Sequence, residues 1–191
     1  MPLSLVGSEM CIRDSIYVNP NLINSLEPCL SGWLGHENPF DFSLQYNPAS
    51  GIDRMRVGTP PVIALAALEA SLDIWETVDI KDVRETSIQL TDQFINVVEQ
   101  KCPMLQLITP RIPENRGSQV SFSFKHGYAV MQACIERGVI GDFRAPDVMR
   151  FGFTPLFVDS QDVERASEIL AEIMSKDLWN DPKFQKRNKV T

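Results

Sequence analysis

The amino-acid sequence predicts an α/β fold. Residues 80–191 read as a small sandwich of helices on a mostly antiparallel sheet, and residues 16–61 as the edge of something larger. Three observations predict this. Two consecutive stretches, 62–75 and 80–101, carry helical apolar patterning. The run Val120-Ser121-Phe122-Ser123-Phe124 alternates strictly between apolar and polar, which is the period of a half-buried strand. From residue 105 onward, short β-type runs interleave with helical segments.

Taken in order, Ile16-Tyr17-Val18 is a β-type run that stops at the turn signal Asn19-Pro20. Asn21 to Leu26 is expected to form a short helix. Residues 27–61 are rich in Pro, Gly and Asn and show little periodicity. A loop of that length is functional or disordered, and Trp33, Phe40, Phe42 and Tyr46 argue for order. Thr59 is expected to cap the next helix, with Pro60 and Pro61 in its first positions. Val62 to Trp75 is Ala/Leu-rich and apolar on most sides, so it is expected to be buried between layers.

In the helix over residues 80–101, Val83, Ile88, Leu90, Phe94, Val97 and Val98 make an apolar stripe, and Pro103 ends it. Leu105 to Thr109 and Val120 to Phe124 read as strands. Gly127 to Arg137 reads as a helix closed by Gly138. Val139-Ile140 and Val148 to Phe153 read as short strands. Asp159 or Ser160 caps a last helix, with Val163, Ala166, Ile169, Leu170 and Ile173 on one face. The polar, basic tail from Asp177 is expected to be loosely held.

Composition narrows the function. Of 191 residues, 43% are hydrophobic, enough for a packed core. Lys and Arg total 18 against 25 Asp and Glu, a net charge of -7. That balance excludes a nucleic-acid surface, which needs clustered cations. No apolar run is long enough to cross a bilayer. Cys11, Cys29, Cys102 and Cys134 are scattered and make no zinc pattern, so no metal is expected, and free thiols fit a reducing cytoplasm. Residues 1–15, MPLSLVGSEMCIRDS, lack the basic start and continuous apolar stretch of a secretion signal. They resemble translated sequencing-adapter read-through, so we expect them to be non-native and the native chain to begin upstream.

Three clusters can carry chemistry. Leu30-Ser31-Gly32-Trp33-Leu34-Gly35-His36 places a Trp between glycines, where backbone can approach closely. Trp33 can lie flat against a ligand or plug a core edge, and the residues alone favour packing. His36 is a structural hydrogen-bonder or a site residue. Gly58-Thr59-Pro60-Pro61 opens a helix, whose N-terminus attracts anions. The prolines remove two donors there, so an anion would rely on the Thr59 hydroxyl; the alternative is a simple cap. Arg150 lies in an apolar, strand-like run, where a charge must be paired or bind an anion. A guanidinium fork suits a carboxylate, and the alternative is an internal pair with Asp147 or Asp142. No P-loop, GxGxxG, GxSxG or HExxH pattern is present.

Ordered segments across residues 16–191 resemble the kynureninases: Ile16-Tyr17-Val18-Asn19-Pro20, LSGWLGH (Leu30 to His36) with Pro39-Phe40-Asp41-Phe42, GTPP (Gly58 to Pro61), RGSQVSF (Arg116 to Phe122), GDFRAPDVMRFGFTPL (Gly141 to Leu156) and Arg187 to Thr191. The resemblance implies the C-terminal part of a fold-type-I, aspartate-aminotransferase-like enzyme that uses pyridoxal 5'-phosphate (PLP). Residues 16–78 would be a remnant of the large PLP domain with its linking helix, and residues 79–191 the small domain. It implies a cytoplasmic homodimer that hydrolyses L-kynurenine to anthranilate and L-alanine, in tryptophan catabolism and NAD biosynthesis. PLP would serve as the electron sink. Trp33 and Thr59 match residues that reach the cofactor phosphate across the dimer interface. Arg150 matches the arginine that holds the substrate α-carboxylate, and His36 and Gly58 match positions beside the substrate. The Schiff-base lysine of the family follows a Tyr upstream of Ile16. No lysine here follows a Tyr, so no catalytic residue is assigned and the chain as written is expected to be inactive. The alternatives are a stand-alone binding or dimerisation domain, and another fold-type-I enzyme such as a cysteine-desulfurase relative.

Overall fold

The computed structural model of the chain describes residues 16–186 and the backbone of Leu3–Ser4. The rest of the adapter-like stretch and the closing Arg187 to Thr191 motif lie outside the described residues. The chain divides into two compact units, one within residues 13–77 and one made of Val78–Thr191 together with the N-terminal residues 1–12.

The smaller unit is mostly irregular and is held by hydrogen bonds. Its 3₁₀ turns span Ile23–Ser25, Trp33–Gly35 and Gly51–Met55. The first replaces the short helix expected from Asn21 to Leu26. Arg54 ties the segments together, donating Nε to Ala49 O (3.1 Å) and Nη1 to Asn24 O (2.9 Å) and Leu26 O (3.0 Å). Ile16-Tyr17-Val18 forms no strand, because no neighbouring strand receives its backbone groups among the described residues.

Two glycines let this loop close on itself. A Cβ at Gly32 would sit 1.6 Å from the Val57 carbonyl oxygen, far inside van der Waals contact. A Cβ at Gly35 would lie 2.8 Å from the carbonyls of Arg54 and Arg56. Only glycine permits either approach.

Helix α1 (Val62–Trp75) ends where expected but starts after the two prolines expected in its first positions, and it has neither the expected cap nor the expected burial. Its N-cap is Pro61, without a side-chain cap bond, and the first helical hydrogen bond runs from Leu65 N to Pro61 O (3.0 Å). A residue before proline is pushed out of the helical region. Thr59 and Pro60 both precede prolines, so the helix starts only after Pro61. None of its side chains is buried; Ile63 is 89% exposed and Val62 68%. Ala and Leu propensity makes the helix locally, while burial needs a covering layer that the described residues do not provide.

The larger unit contains, in chain order, β1 (Leu3–Ser4), α2 (Ile80–Lys101), β2 (Gln106–Leu107), β3 (Gln119–Ser123), α3 (Gly127–Glu136), β4 (Val139–Ile140), β5 (Asp142–Arg144), β6 (Val148–Gly152), α4 (Ser160–Ser175) and α5 (Pro182–Gln185). Strands β2, β3, β6 and β5 make an antiparallel four-stranded sheet in that order, and β1 pairs with β4 in parallel. Strand β5 escaped the sequence reading, because three residues are too few to show a period. The expected strand at Leu105 to Thr109 shortens to two residues at the sheet edge.

Helices α2 and α3 pack on one face of the sheet, and α4 packs against both. Asp79 caps α2 by accepting from Lys81 N (2.8 Å), and Asp159 and Asp162 form a reciprocal capping box on α4. The buried stripe of α2 is Ser87, Leu90, Thr91, Phe94, Ile95 and Val98. Its two hydroxyls were not expected; Ser87 donates to Ser118 Oγ (2.8 Å) and Thr91 to the Ser87 carbonyl (2.8 Å), which satisfies them. Arg116, with 1% of its side chain exposed, pairs with Asp92 and donates to the Arg111 carbonyl, tying the loop before β3 to α2.

Residues 177–186 are packed rather than loose. Trp179 and Phe184 are buried, and the Trp179 indole stacks on His126 at 4.6 Å. Two aromatic anchors outweigh the polar composition around them.

Burial also sets the thiols apart. Cys102 is pushed up to about 11 and Cys134 to about 12 by burial, against an ordinary 9.0, whereas Cys29 is exposed. We expect iodoacetamide at pH 8 to label Cys29 and to spare Cys102 and Cys134 until denaturant is added, as read by mass spectrometry. Above pH 9 the unfolded thiols lose protons that the folded ones keep, so stability is expected to fall as pH rises from 9 towards the folded values. Gly32→Ala is expected to speed trypsin cleavage at Arg54 and Arg56 by about tenfold or more, because overpacking costs about 1–3 kcal/mol. Gly117→Ala, whose added Cβ meets nothing within 4 Å, should leave cleavage unchanged.

Candidate functional site

In the smaller unit the approach of Gly32 to Val57 carries Trp33 to Gly58. The Trp33 Nε1 lies 3.9 Å from where a Gly58 Cβ would stand. Trp33 is half-exposed and packs edge-on against Phe40, with ring centroids 5.6 Å apart. Thr59 follows Gly58 and is exposed. Among the described residues neither the Trp33 Nε1–H nor the Thr59 hydroxyl has a hydrogen-bond partner. The structure thus brings Trp33, Gly58 and Thr59 together, and the closely approaching backbone foreseen beside Trp33 is the chain's own.

His36 is fully engaged. Its Nδ1 accepts from the Asn38 N–H (2.9 Å) and its Nε2 bonds the Gln45 carbonyl (3.1 Å). A carbonyl only accepts, so Nε2 carries the proton and the ring is the neutral Nε2–H tautomer. Tyr46 meets the imidazole edge-on at 5.7 Å and donates its hydroxyl to Gly35 O (3.0 Å). The structural-hydrogen-bond reading of His36 accounts for both ring nitrogens.

Beside these residues lies a cavity of about 580 Å³, lined by Trp33, His36, Phe40, Phe42, Leu44 and Tyr46 among others. Its size and aromatic walls suit a small planar ligand. The sequence signal was present: four aromatics in a loop with no core periodicity.

Arg150 belongs to the larger unit, in β6. Neighbours Met149 and Phe151 are completely buried, so strand alternation puts Arg150 on the opposite face. On that face its cross-strand partners are Ser121 in β3 and Asp142 in β5. Its side chain is 22% exposed, and that of Asp142 is 3% exposed. Arg150 donates Nε to Asp142 Oδ2 (2.7 Å), and Nη2 reaches the same oxygen. Arg144 Nε lies 3.2 Å from that oxygen as well. Asp147, the other candidate partner, instead accepts from Ser123 Oγ.

The internal pair therefore exists, yet it leaves the anion reading intact. A guanidinium offers two parallel-donor edges. Asp142 occupies the Nε/Nη2 edge, and Nη1 has no partner among the described residues. Arg144 was the missed member, because β5 itself was missed. No group of His, Cys, Asp and Glu able to hold a metal occurs among the described residues. No described helix is long and apolar enough to cross a membrane.

Comparison with known proteins identifies the family. Residues 83–170 match the kynureninase C-terminal domain. Over 178 residues the chain is 46% identical to a kynureninase of Pseudomonas fluorescens, covering 92% of this chain and 43% of that protein. It is 44% identical over 169 residues to a kynureninase of Burkholderia mallei, covering 87% and 41%. The chain thus spans less than half the length of the curated relatives it matches. Among solved structures, a cysteine desulfurase from Thermococcus onnurineus superposes with a TM-score of 0.70 at 18% identity, over 84% of this chain and 42% of that one. A cysteine desulfurase from Escherichia coli gives 0.67 at 20% identity, over the same shares of 84% and 42%. A cystine C–S lyase with glycine linked to its PLP cofactor gives 0.65 at 20% identity, over 82% and 40%. At those identities the structural likeness shows the fold alone, the C-terminal part of fold-type-I enzymes. The domain match and the sequence relatives go further: the chain belongs to the kynureninase family and aligns with the C-terminal part of its members.

Proposed function

We propose that this chain is the C-terminal part of a PLP-dependent kynureninase, which hydrolyses L-kynurenine to anthranilate and L-alanine as a cytoplasmic homodimer. Residues 16–78 are then a remnant of the large domain with its linking helix, and residues 79–191 the small domain. The observation that carries the site is Arg150: a guanidinium held on one edge and open on the other, on a sheet face free of aromatic core. Such an edge takes a carboxylate through two parallel charge-assisted bonds. In this reading Arg150 binds the α-carboxylate of the substrate and fixes its orientation.

The residues present fit a phosphate-bearing cofactor. The Trp33 Nε1–H lies 3.9 Å from where a Gly58 Cβ would stand, Thr59 follows Gly58, neither donor has a partner among the described residues, and two such donors suit phosphate oxygens. When bound, PLP supplies the electron sink for charge that develops on the substrate. His36 enters as the clamp that shapes the cavity wall beside Trp33, and Gly58 as the gap that leaves room for ligand. The family resemblance supports the dimer, in which Trp33 and Thr59 serve the partner's site. No lysine of this chain follows a Tyr, and no catalytic residue is assigned.

In a full-length kynureninase whose C-terminal part is residues 16–191, we expect anthranilate release from L-kynurenine, followed by its fluorescence. The isolated chain should release none; turnover by the chain alone would remove the missing-lysine reading. In the full-length protein, Arg150→Ala should raise KM for L-kynurenine about 100-fold, as lost charge-assisted hydrogen bonds require, with a smaller effect on kcat. An unchanged KM would take Arg150 out of the substrate site.

A further inference from the structure

The Arg150 guanidinium does not stand alone, and its partner has the wrong charge for a carboxylate site. Asp142 is a buried anion beside a group proposed to receive another anion. By Coulomb's law alone it should weaken that binding. The geometry points to a different role. Asp142 and Arg150 are directly opposed across the β5–β6 pair, where Cβ atoms stand about 4.5–5.5 Å apart. From there the short Asp side chain reaches the near end of the guanidinium, Nε and Nη2, both through Oδ2. That double contact fixes the plane of the group and its rotation about the last side-chain bonds. It also leaves the Nη1/Nη2 edge as the one turned away from Asp142.

We propose that Asp142 is a positioning residue for the carboxylate subsite: it locks the Arg150 guanidinium by its Nε edge and presents the Nη1 edge to the incoming carboxylate. This rests on the reading of Arg150 as the carboxylate-binding group. Arg144 completes the arrangement. With its Nε 3.2 Å from the same oxygen, it balances the negative charge of Asp142. Two cations share one carboxylate, and the trio keeps a formal positive excess that a further carboxylate neutralises. Arg144 is half-exposed, so solvent screens its share. The tight Asp142–Arg150 contact, with 3% and 22% side-chain exposure, carries the positioning.

The test uses the full-length enzyme and two ligands, L-kynurenine and its decarboxylated analogue kynuramine as a competitive inhibitor. Asp142→Ala should raise KM for L-kynurenine about tenfold or more, the scale of a misplaced binding group. It should leave the inhibition constant of kynuramine unchanged and change kcat less than KM. A purely electrostatic bystander gives the opposite sign, since removing its negative charge tightens carboxylate binding. Asp142→Asn keeps an oxygen acceptor at the same reach and should stay within about threefold of wild type, whereas Asp142→Glu keeps the charge, overshoots the Nε edge and should lose affinity. These two variants decide the matter if the Ala variant fails to fold. Tighter or unchanged L-kynurenine binding in Asp142→Ala, or equal behaviour of Asn and Glu, overturns the positioning role. Arg150→Ala is measured in parallel: if it fails to discriminate the two ligands, the carboxylate reading itself falls; if it discriminates and Asp142→Ala does not, only the role of Asp142 falls.

Discussion

Phe94 sets the larger unit. It is completely buried on α2 and meets Phe122, Phe151 and Phe153 with ring centroids 6.1, 5.0 and 5.1 Å away. Each buried Phe contributes roughly 1.5–3 kcal/mol, and tilted ring pairs add about 0.5–1.5 kcal/mol more. These rings come from β3, β6 and the residue after β6, so they fix how the strands align. A slip of one residue would turn Phe122 or Phe151 out and Ser121 or Arg150 in. The aromatic core thereby places the polar pair on the other face, with Val120 opposite Phe151 and Ser121 opposite Arg150. The position of the guanidinium is a consequence of where the phenylalanines must go.

The smaller unit obeys a different constraint. It has little apolar burial of its own, with Ile23 its only buried apolar side chain among the described residues. Backbone proximity and side-chain-to-carbonyl bonds hold it instead. Gly32 lets the Trp33 turn lie against Val57, and Arg54 collects three carbonyls from distant parts of the loop. Such a framework suits a site wall, because it positions an aromatic and two donors without enclosing them. Helix α1 shows the converse case. Its composition suffices to make a helix, yet composition cannot supply the layer that would cover it.

Charge placement follows one rule in both functional segments. Arg116 and Arg150 are each paired first with a carboxylate of the protein. Arg116 spends both terminal nitrogens on Asp92, Thr91 and two carbonyls, while its buried Nε has no partner among the described residues, and so serves structure. Arg150 is held by a single carboxylate on a single edge, and so keeps capacity for a ligand. The number of donors spent internally separates the structural arginine from the binding one.

The sequence by itself determined the long helices, the alternation of β3, a cap for α4 at either Asp159 or Ser160, and the family, because those signals are local or are carried by ordered motifs. It also narrowed the partners of Arg150 to two aspartates. Only the tertiary structure chose Asp142 over Asp147, revealed β5, and showed His36 spent on Asn38 and Gln45. It alone put Gly58 beside Trp33, anchored Trp179 and Phe184 in a segment of polar composition, and moved the start of α1 past Thr59. Each of these depends on which residue lies across a strand or loop from another. Chain composition does not encode that relation at short range; it is settled when the aromatic core fixes the strand register and the glycines let the loop backbones meet.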